Sequence, residues 1–233
     1  STVIVDDTNG NNLSCFEKQC KKWTHNLSLY SSKLPPISFV YRLKNAEAFI
    51  ELSVSSIIPI ADEIVFVDNG SSDNTLNIIS KLMNKYGDSV SFRLEFYEQE
   101  IVTQGADYKK RLSLNPAGSL ADYYNYCFNL AKNDWVFKID AHKILIPSVL
   151  PDILKRINAG DEFVFLRGYD FYGRDIYFEP LLYKKSSGAF YVDGDFFEHL
   201  NYKEFIKISN IYFSRINKGS FYHLKSLINS PCI

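Results

Sequence analysis

Strand-like apolar segments alternate with helix-like segments in this chain, and this alternation restricts the fold more than any other feature of the sequence. Short apolar runs bounded by turn residues are typical of buried strands, and longer amphipathic runs with capping residues are typical of helices. From residue 37 onward the order is strand (37–43), helix (45–60, with Asn45 as N-cap candidate), strand (62–70), helix (71–87) and strand (89–98). A β-α-β-α-β order predicts a parallel sheet with right-handed crossover connections.

The second half of the chain predicts a different kind of connection. A polar segment over 101–118 is expected to be a loop, and a helix capped by Ser119 then leads into the strand-like DWVFKID (134–140). After a further helix ending at Gly160, strand-like segments follow one another over 162–194 with short connections, as in antiparallel sheets. The sequence therefore predicts an α/β fold with a mixed, mostly parallel sheet and a small antiparallel accessory region, with residues 1–34 as an N-terminal extension and 35–233 as the domain.

Composition excludes several other classes of protein. With 46% hydrophobic and 23% charged residues among 233, the chain can bury a sizeable core and disorder is not expected. The formal net charge of −1 argues against a nucleic-acid binder, which usually carries a basic excess. The four cysteines fit no zinc framework, and no run approaches the ~20 apolar residues that cross a bilayer. We expect a cytoplasmic protein without a transmembrane segment.

Three of the predicted strands end in polar residues. The first ends near Tyr41, Arg42 and Asn45, the second at Asp68-Asn69-Gly70, and the fourth at Asp140-Ala141-His142. Ligands of open parallel sheets bind beyond the carboxyl ends of the strands, so these ends should share one cleft. A glycine-rich GxGxxG or GxxxxGK[ST] loop is absent from the sequence, which disfavours a classical dinucleotide fold and a P-loop enzyme.

The segment ISFVYRLKNAEAFIELSVSSIIPIADEIVFVDNGSSDNTLNII (37–79) resembles the opening of family 2 glycosyltransferases, which have the GT-A fold. DNGSSDNT (68–75) matches the family's D-[DN]-G-S-x-D-x-T motif, and SLADYYNYCFNLAKNDWVFKIDAH (119–142) resembles the unit that leads to its DxD motif. The resemblance implies that Asp68, with Asn69, binds the donor nucleotide and that Tyr41 stacks near the base. It also implies that Asp140 and His142 hold a divalent cation, Mn²⁺ or Mg²⁺, on the donor diphosphate; histidine replaces the second aspartate of the motif, and imidazole is a competent ligand for such ions.

Two later segments extend the resemblance. EPLLYKKSSGAFYVDGDFFEHL (179–200) is similar to a segment of bacterial relatives and implies Glu198 as the general base, with Asp193 and Asp195 as nearby alternatives. A late histidine that reaches the metal or diphosphate implies a role for His223, with Lys225 meeting phosphate charge.

Each of these residues also has a purely structural interpretation. Asp68 can form an Asx-turn or cap a helix, and Asp140 can cap the helix that follows. His223, flanked by aromatic residues, can be a packed core histidine, and Glu198 can belong to a solvated acidic surface.

The sequence thus predicts a glycosyltransferase that moves a sugar from a nucleotide-diphosphate sugar to an acceptor hydroxyl, with inversion and with a metal. A glycan or glycolipid acceptor in surface polysaccharide or lipopolysaccharide synthesis is the expectation, and peripheral contact with the inner membrane face is compatible with it. The alternatives are a non-catalytic nucleotide-sugar-binding module and, with less support, a sugar nucleotidyltransferase. The donor sugar, the nucleotide base, the acceptor and the oligomeric state are not specified by the sequence.

Overall fold

A computed structural model of the protein describes residues 33–170, 178–202 and 215–224. The predicted extension over residues 1–34 lies almost wholly outside these ranges. Lys225 also lies outside them. The division into an extension and a domain therefore remains a prediction.

The helices and strands follow the predicted alternation closely. The strands are β1 (Ile37–Leu43), β2 (Glu63–Asp68), β3 (Ser91–Phe96), β4 (Trp135–Ile139), β5 (Lys143–Leu145), β6 (Phe163–Asp170), β7 (Glu179–Lys184), β8 (Tyr191–Asp193), β9 (Glu198–Leu200) and β10 (Arg215–His223). The α-helices are α1 (Ile50–Ile57), α2 (Thr75–Tyr86), α3 (Tyr108–Leu114), α4 (Leu120–Asn129) and α5 (Leu150–Asn158). Short 3₁₀ helices follow α1 and precede α4 and α5.

The strands of the described residues form two sheets. The larger has eight strands in the order β3-β2-β1-β4-β7-β6-β10-β5, and β8 and β9 form a separate antiparallel pair. The β3-β2-β1-β4 half is parallel throughout, β6 and β10 are also parallel, and β7 and β5 run antiparallel to their neighbours. The predicted mixed, mostly parallel sheet with a small antiparallel region is confirmed.

The central strands are apolar on both faces because helices cover both faces. Phe39 and Tyr41 of β1 belong to one buried cluster together with residues of α1 and α2. Val40 belongs to a second cluster, which includes Cys127 and Phe128 of α4. Continuous apolar runs, rather than alternating ones, are the usual signature of such doubly covered parallel strands.

Two local predictions were wrong. Asn45 was expected to be the N-cap of the first helix, but that helix begins at Ile50, and Asn45 adopts a left-handed φ of 53°. The expected loop over 101–118 contains α3, which is anchored by the fully buried Tyr108. Ser119, by contrast, is confirmed as an N-cap, because its hydroxyl accepts a hydrogen bond from the backbone N–H of Asp122 (2.9 Å).

Candidate active site

Asp68 shapes the loop after β2 and is itself only 2% exposed. Its Oδ2 accepts hydrogen bonds from the backbone N–H groups of Gly70 (3.0 Å) and Ser71 (2.9 Å), and Gly70 has a φ of 75°, which favours glycine. This is the Asx-turn that the structural interpretation anticipated. The turn lies directly at the carboxyl end of β2.

The same motif ties the loop after β1 to the start of α2. The Thr75 hydroxyl accepts from the N–H of Ala46 (2.7 Å), and Asp73 accepts from the N–H groups of Glu47 (3.1 Å) and Thr75 (3.0 Å). Asn45 takes part as well, since its Oδ1 accepts from the N–H of Ser72 (2.8 Å). These bonds hold the two loops together. The motif residues other than Asp68 and Asn69 therefore help to fix the shape of the cleft.

A cavity of about 430 Å³ opens at this edge of the sheet, beyond the ends of β1, β2 and β3. Asn69 shapes one wall, because its side-chain amide donates to the carbonyls of Tyr97 (2.7 Å) and Gln99 (2.8 Å). The lining residues are Lys44, Asp68, Asn69, Gly70, Phe96, Tyr97, Glu98, Gln99 and Glu100. Two predicted donor-binding residues, Asp68 and Asn69, are thus brought together in one cavity with a lysine and two aromatic rings.

Tyr41 does not reach this cavity, and the prediction that its ring stacks on a nucleotide base was wrong. Its side chain is fully buried in the core, where the hydroxyl hydrogen-bonds the Ser53 hydroxyl (3.0 Å) and the ring packs against Phe66 at 5.5 Å between centroids. The cavity is lined by residues that the sequence did not single out, among them Lys44, Phe96 and Tyr97. The rule that ligands bind at the carboxyl ends of parallel strands could have found them, had it been applied to the end of β3 as well.

The acid at the end of β4 lies among cations. Asp140 forms ion pairs with Arg42 and with Lys143 (3.0 Å), and Lys143 continues to Glu179 (3.4 Å). Burial alone would raise the pKa of the Asp140 carboxyl, but Lys143 and then Arg42 outweigh burial and hold the pKa well below its usual range. The strand therefore delivers a firmly ionised carboxylate to the edge of the cleft.

Lys138 of β4 also belongs to this charged group. It lies 3.8 Å from Glu179, and burial, with the repulsion of Arg42 added, lowers its pKa. Glu179 in turn has a lowered pKa, because Lys143 and Lys138 together outweigh the effect of its burial. The group contains three cations and two carboxylates, so it has a surplus of positive charge that suits an anionic ligand.

The two predicted metal-binding histidines come together across the β5–β10 pair. Lys143 faces His223 in the antiparallel register, and the N–H of Leu224 donates to the carbonyl of His142 (2.8 Å). The rings of His142 and His223 lie 4.4 Å apart between centroids, edge to face at 78°. Within 33–170, 178–202 and 215–224, no group of three or more His, Cys, Asp or Glu side chains is placed so that it could hold a metal ion. The two imidazoles therefore lie next to each other, while the carboxylate of Asp140 is engaged with Arg42 and Lys143.

The two predicted catalytic acids of the small sheet have different surroundings, although Asp193 and Glu198 face each other across β8 and β9. Asp193 accepts hydrogen bonds from the Tyr108 hydroxyl, the Ser119 hydroxyl (2.7 Å) and the N–H of Ala121 (3.0 Å), so it braces the start of α4.

Glu198 lies on the other side of this pair and is 7% exposed. Burial raises the pKa of the nearby Tyr124 hydroxyl, and Glu198 raises it further. Asp195, the third acid considered, is exposed and paired with Lys109 (2.8 Å). A catalytic role has better structural support for Glu198 than for the two aspartates.

The mixed sheet with polar groups at its strand ends is a GT-A-type fold, and sequence comparison agrees. The sequence matches the family model described as "Glycosyl transferase family 2" over residues 38–221. The chain therefore belongs to glycosyltransferase family 2, and the resemblance found in the sequence is confirmed. No curated protein matches the chain significantly in sequence.

Solved structures support the fold. The chain is similar to S. aureus TarS 1–349 in complex with UDP, with a TM-score of 0.55 and 15% identity, covering 82% of this chain and 60% of that one. It is also similar to the crystal structure of S. aureus TarS, with a TM-score of 0.52 and 15% identity, covering 82% and 37%. The chain thus spans about 60% of the length of TarS 1–349, and identity this low shows a shared fold alone.

The described residues also contain no helix with both the length and the apolar character that a bilayer crossing requires.

Proposed function

We propose that this protein transfers a sugar from a nucleotide-diphosphate sugar to an acceptor hydroxyl. The observation that carries the proposal is the 430 Å³ cavity at the ends of β1, β2 and β3, adjacent in the sheet to the charged group at the end of β4. β1 lies between β2 and β4, so the cavity adjoins the point between β1 and β4 where the strand order reverses, the usual ligand site of such sheets.

The nucleoside of the donor fits the cavity. Phe96 and Tyr97 present aromatic surface, Lys44 presents a cation, and Asp68 and Asn69 present polar groups for the base and the ribose. The TarS neighbour was crystallised with UDP, which supports a uridine nucleotide as the first candidate for this chain. Lys225, which lies outside the described residues, is proposed to meet the charge of the phosphates.

A divalent cation at the Asp140 corner is part of the proposal, and the contact between the His142 and His223 rings supports it. Two adjacent imidazoles, from His142 and His223, suit Mn²⁺ better than Mg²⁺, which prefers oxygen ligands. An ion of this kind commonly takes its remaining ligands from the substrate phosphates, so a complete protein cage is not required. When bound, it would neutralise charge on the leaving diphosphate as a Lewis acid. Asp140 would hold the ion through its ionised carboxylate while remaining paired with Arg42 and Lys143.

Glu198 is the proposed general base. Its carboxylate takes the proton of the acceptor hydroxyl while the oxygen attacks the anomeric carbon and the bond from that carbon to the diphosphate oxygen breaks. The nucleoside diphosphate leaves with the electron pair of that bond, and a single displacement inverts the configuration of the sugar. Asp193 is the weaker alternative, because its two oxygens already accept three hydrogen bonds.

The acceptor is proposed to be a glycan or glycolipid of a cell-surface polymer, modified on the cytoplasmic side of the membrane. Transfer to such an acceptor is compatible with peripheral contact at the inner membrane face. This part of the proposal rests on the family and on no contact within the site.

Turnover of defined donors tests the proposal. The protein is incubated with UDP-glucose, UDP-galactose, UDP-N-acetylglucosamine and GDP-mannose, with MnCl₂, MgCl₂ or EDTA, and released nucleoside diphosphate is measured. We expect release from one donor class that depends on Mn²⁺ and that falls by about 10²–10⁴-fold in Glu198→Gln. Asp195→Asn, which changes an exposed acid of the same hairpin, is the matched control and should retain activity. Thermal stabilisation by a donor without any release would instead indicate a non-catalytic binding module.

A further inference from the structure

Arg42 is a buried cation that forms an ion pair with Asp140 and packs on the ring of Tyr124. Its side chain is only 6% exposed, although it occupies the end of β1 next to the cleft. We propose that Arg42 is a positioning residue that fixes Glu198 relative to the Asp140 corner. This inference rests on the proposed function, and it assigns a task to a residue that the family motifs leave without one.

Arg42 of β1 contacts the end of β4 and α4 directly and reaches the β8–β9 pair through aromatic rings. Its guanidinium forms an ion pair with Asp140 after β4, and it lies 3.7 Å from the ring centroid of Tyr124 on α4. Tyr124 packs edge to face against Tyr191 of β8, at 4.9 Å between centroids, and β8 pairs with β9, where Glu198 lies opposite Asp193. A single buried side chain thus contacts the donor corner directly and, through Tyr124 and Tyr191, the strand pair that carries the candidate base.

The electrostatic surroundings of Arg42 agree with this placement. Burial alone would lower the pKa of the guanidinium, but its acidic surroundings, which include the ion-paired carboxylate of Asp140, raise it. The ion pair with Asp140 compensates for the burial of the guanidinium charge.

The fold gives a reason why such a link is needed. Asp140 follows a strand of the eight-stranded sheet, whereas Glu198 belongs to the separate β8–β9 pair. In the described residues these two sheets share no strand pairing, so backbone hydrogen bonds do not set the distance between the two acids. Arginine suits the task better than lysine, because its planar fork can pair with a carboxylate and stack on an aromatic face at the same time.

A double-mutant cycle tests the inference with two readouts. The variants are Arg42→Met, Glu198→Gln and the combination, with Arg42→Lys as the conservative change. Arg93→Met is the matched control, because Arg93 pairs with Glu95 on the exposed edge strand β3 and is 44% exposed. The first readout is donor turnover, resolved into kcat and KM; the second is the midpoint of urea unfolding, which needs no substrate.

We expect Arg42→Met to lower kcat by about 10²-fold, the cost of a misplaced catalytic group, with donor KM changed far less. Arg42→Lys should recover part of the loss, and Arg93→Met should behave as the wild type. In the Glu198→Gln background the Arg42→Met change should cost little further activity, because the group it positions is already disabled. The unfolding midpoints of the cycle should likewise be non-additive.

Additive effects in either readout, or an increase in donor KM that accounts for the whole loss, would overturn the inference. Should Arg42→Met fail to fold, Arg42→Lys carries the same cycle. Failure of the proposed function has a different signature: the wild type releases no nucleoside diphosphate from any donor while the unfolding cycle remains non-additive.

Discussion

Neutralising Asp140 should destabilise the protein substantially. Asp140→Asn keeps the shape of the side chain but removes the charge that Arg42 and Lys143 face, and these two side chains are only 6% and 5% exposed. Removing one partner of a buried ion pair typically costs about 3–5 kcal/mol, because the other charge stays buried without compensation. Asp140 is 24% exposed and Lys143 retains Glu179, so we expect the lower end, about 3 kcal/mol.

This magnitude is large enough to measure directly. For a domain of this size, about 3 kcal/mol corresponds to a fall in Tm of roughly 6–12 °C. Urea unfolding at pH 7, followed by the fluorescence of the buried Trp135, should show a lower midpoint with an unchanged slope. Asp195→Asn is the control, because it removes an ion pair to Lys109 in which both side chains are more than two-thirds exposed, and we expect no resolved change.

The pH dependence follows from the lowered pKa of Asp140. A carboxyl whose pKa is lower in the folded state contributes stability that is present above its unfolded pKa of about 3.9 and is lost as pH falls through the folded value. The difference in unfolding free energy between wild type and Asp140→Asn should therefore be full at pH 7 and shrink below about pH 4. Equal midpoints for Asp140→Asn and Asp195→Asn at pH 7 would refute the argument that this corner is a buried charge network.

Three further predictions concern other parts of the molecule. Lys44→Ala should weaken UDP binding about tenfold, the worth of one charge-assisted hydrogen bond, while leaving Tm unchanged; calorimetry that gave an unaltered affinity would remove Lys44 from the site. Gly219→Ala should destabilise by about 1–3 kcal/mol, because its Cβ would come within 1.8 Å of the Tyr169 ring, and a wild-type urea midpoint would contradict that overlap. Burial raises the pKa of the Cys127 thiol to about 12, so mass spectrometry should find Cys127 unalkylated by iodoacetamide at pH 8 in the native protein and alkylated in urea. Rapid native labelling at Cys127 would contradict its burial.

The sequence predicted the order of elements well because each element has its own local signal. β1 spans the predicted residues 37–43, and the helix predicted over 71–87 spans Thr75–Tyr86. Family membership followed from one compact motif around Asp68. These signals are local in the chain, and local patterns are what a single sequence displays.

The errors have a common physical cause: tertiary contacts, which a local sequence pattern does not show, decide the positions of these side chains. β1 is buried on both faces, so its apolar run gave no sign that Tyr41 points towards α1 and away from the cleft. Asn45 looks like an N-cap, yet its amide bonds the loop after β2. The juxtaposition of His142 and His223 depends on the pairing of β5 with β10, which no local pattern specifies. The linking position of Arg42 depends on β1, β4, α4 and β9 together, and it became visible only in the structure.

A crystal structure of the protein with UDP and Mn²⁺ would locate the donor site. We expect the uridine in the cavity lined by Lys44, Asp68, Asn69 and Tyr97, with the diphosphate directed to the corner of Asp140 and His142. A nucleotide bound elsewhere on the molecule, with that cavity and corner left empty at saturating UDP, would contradict this expectation.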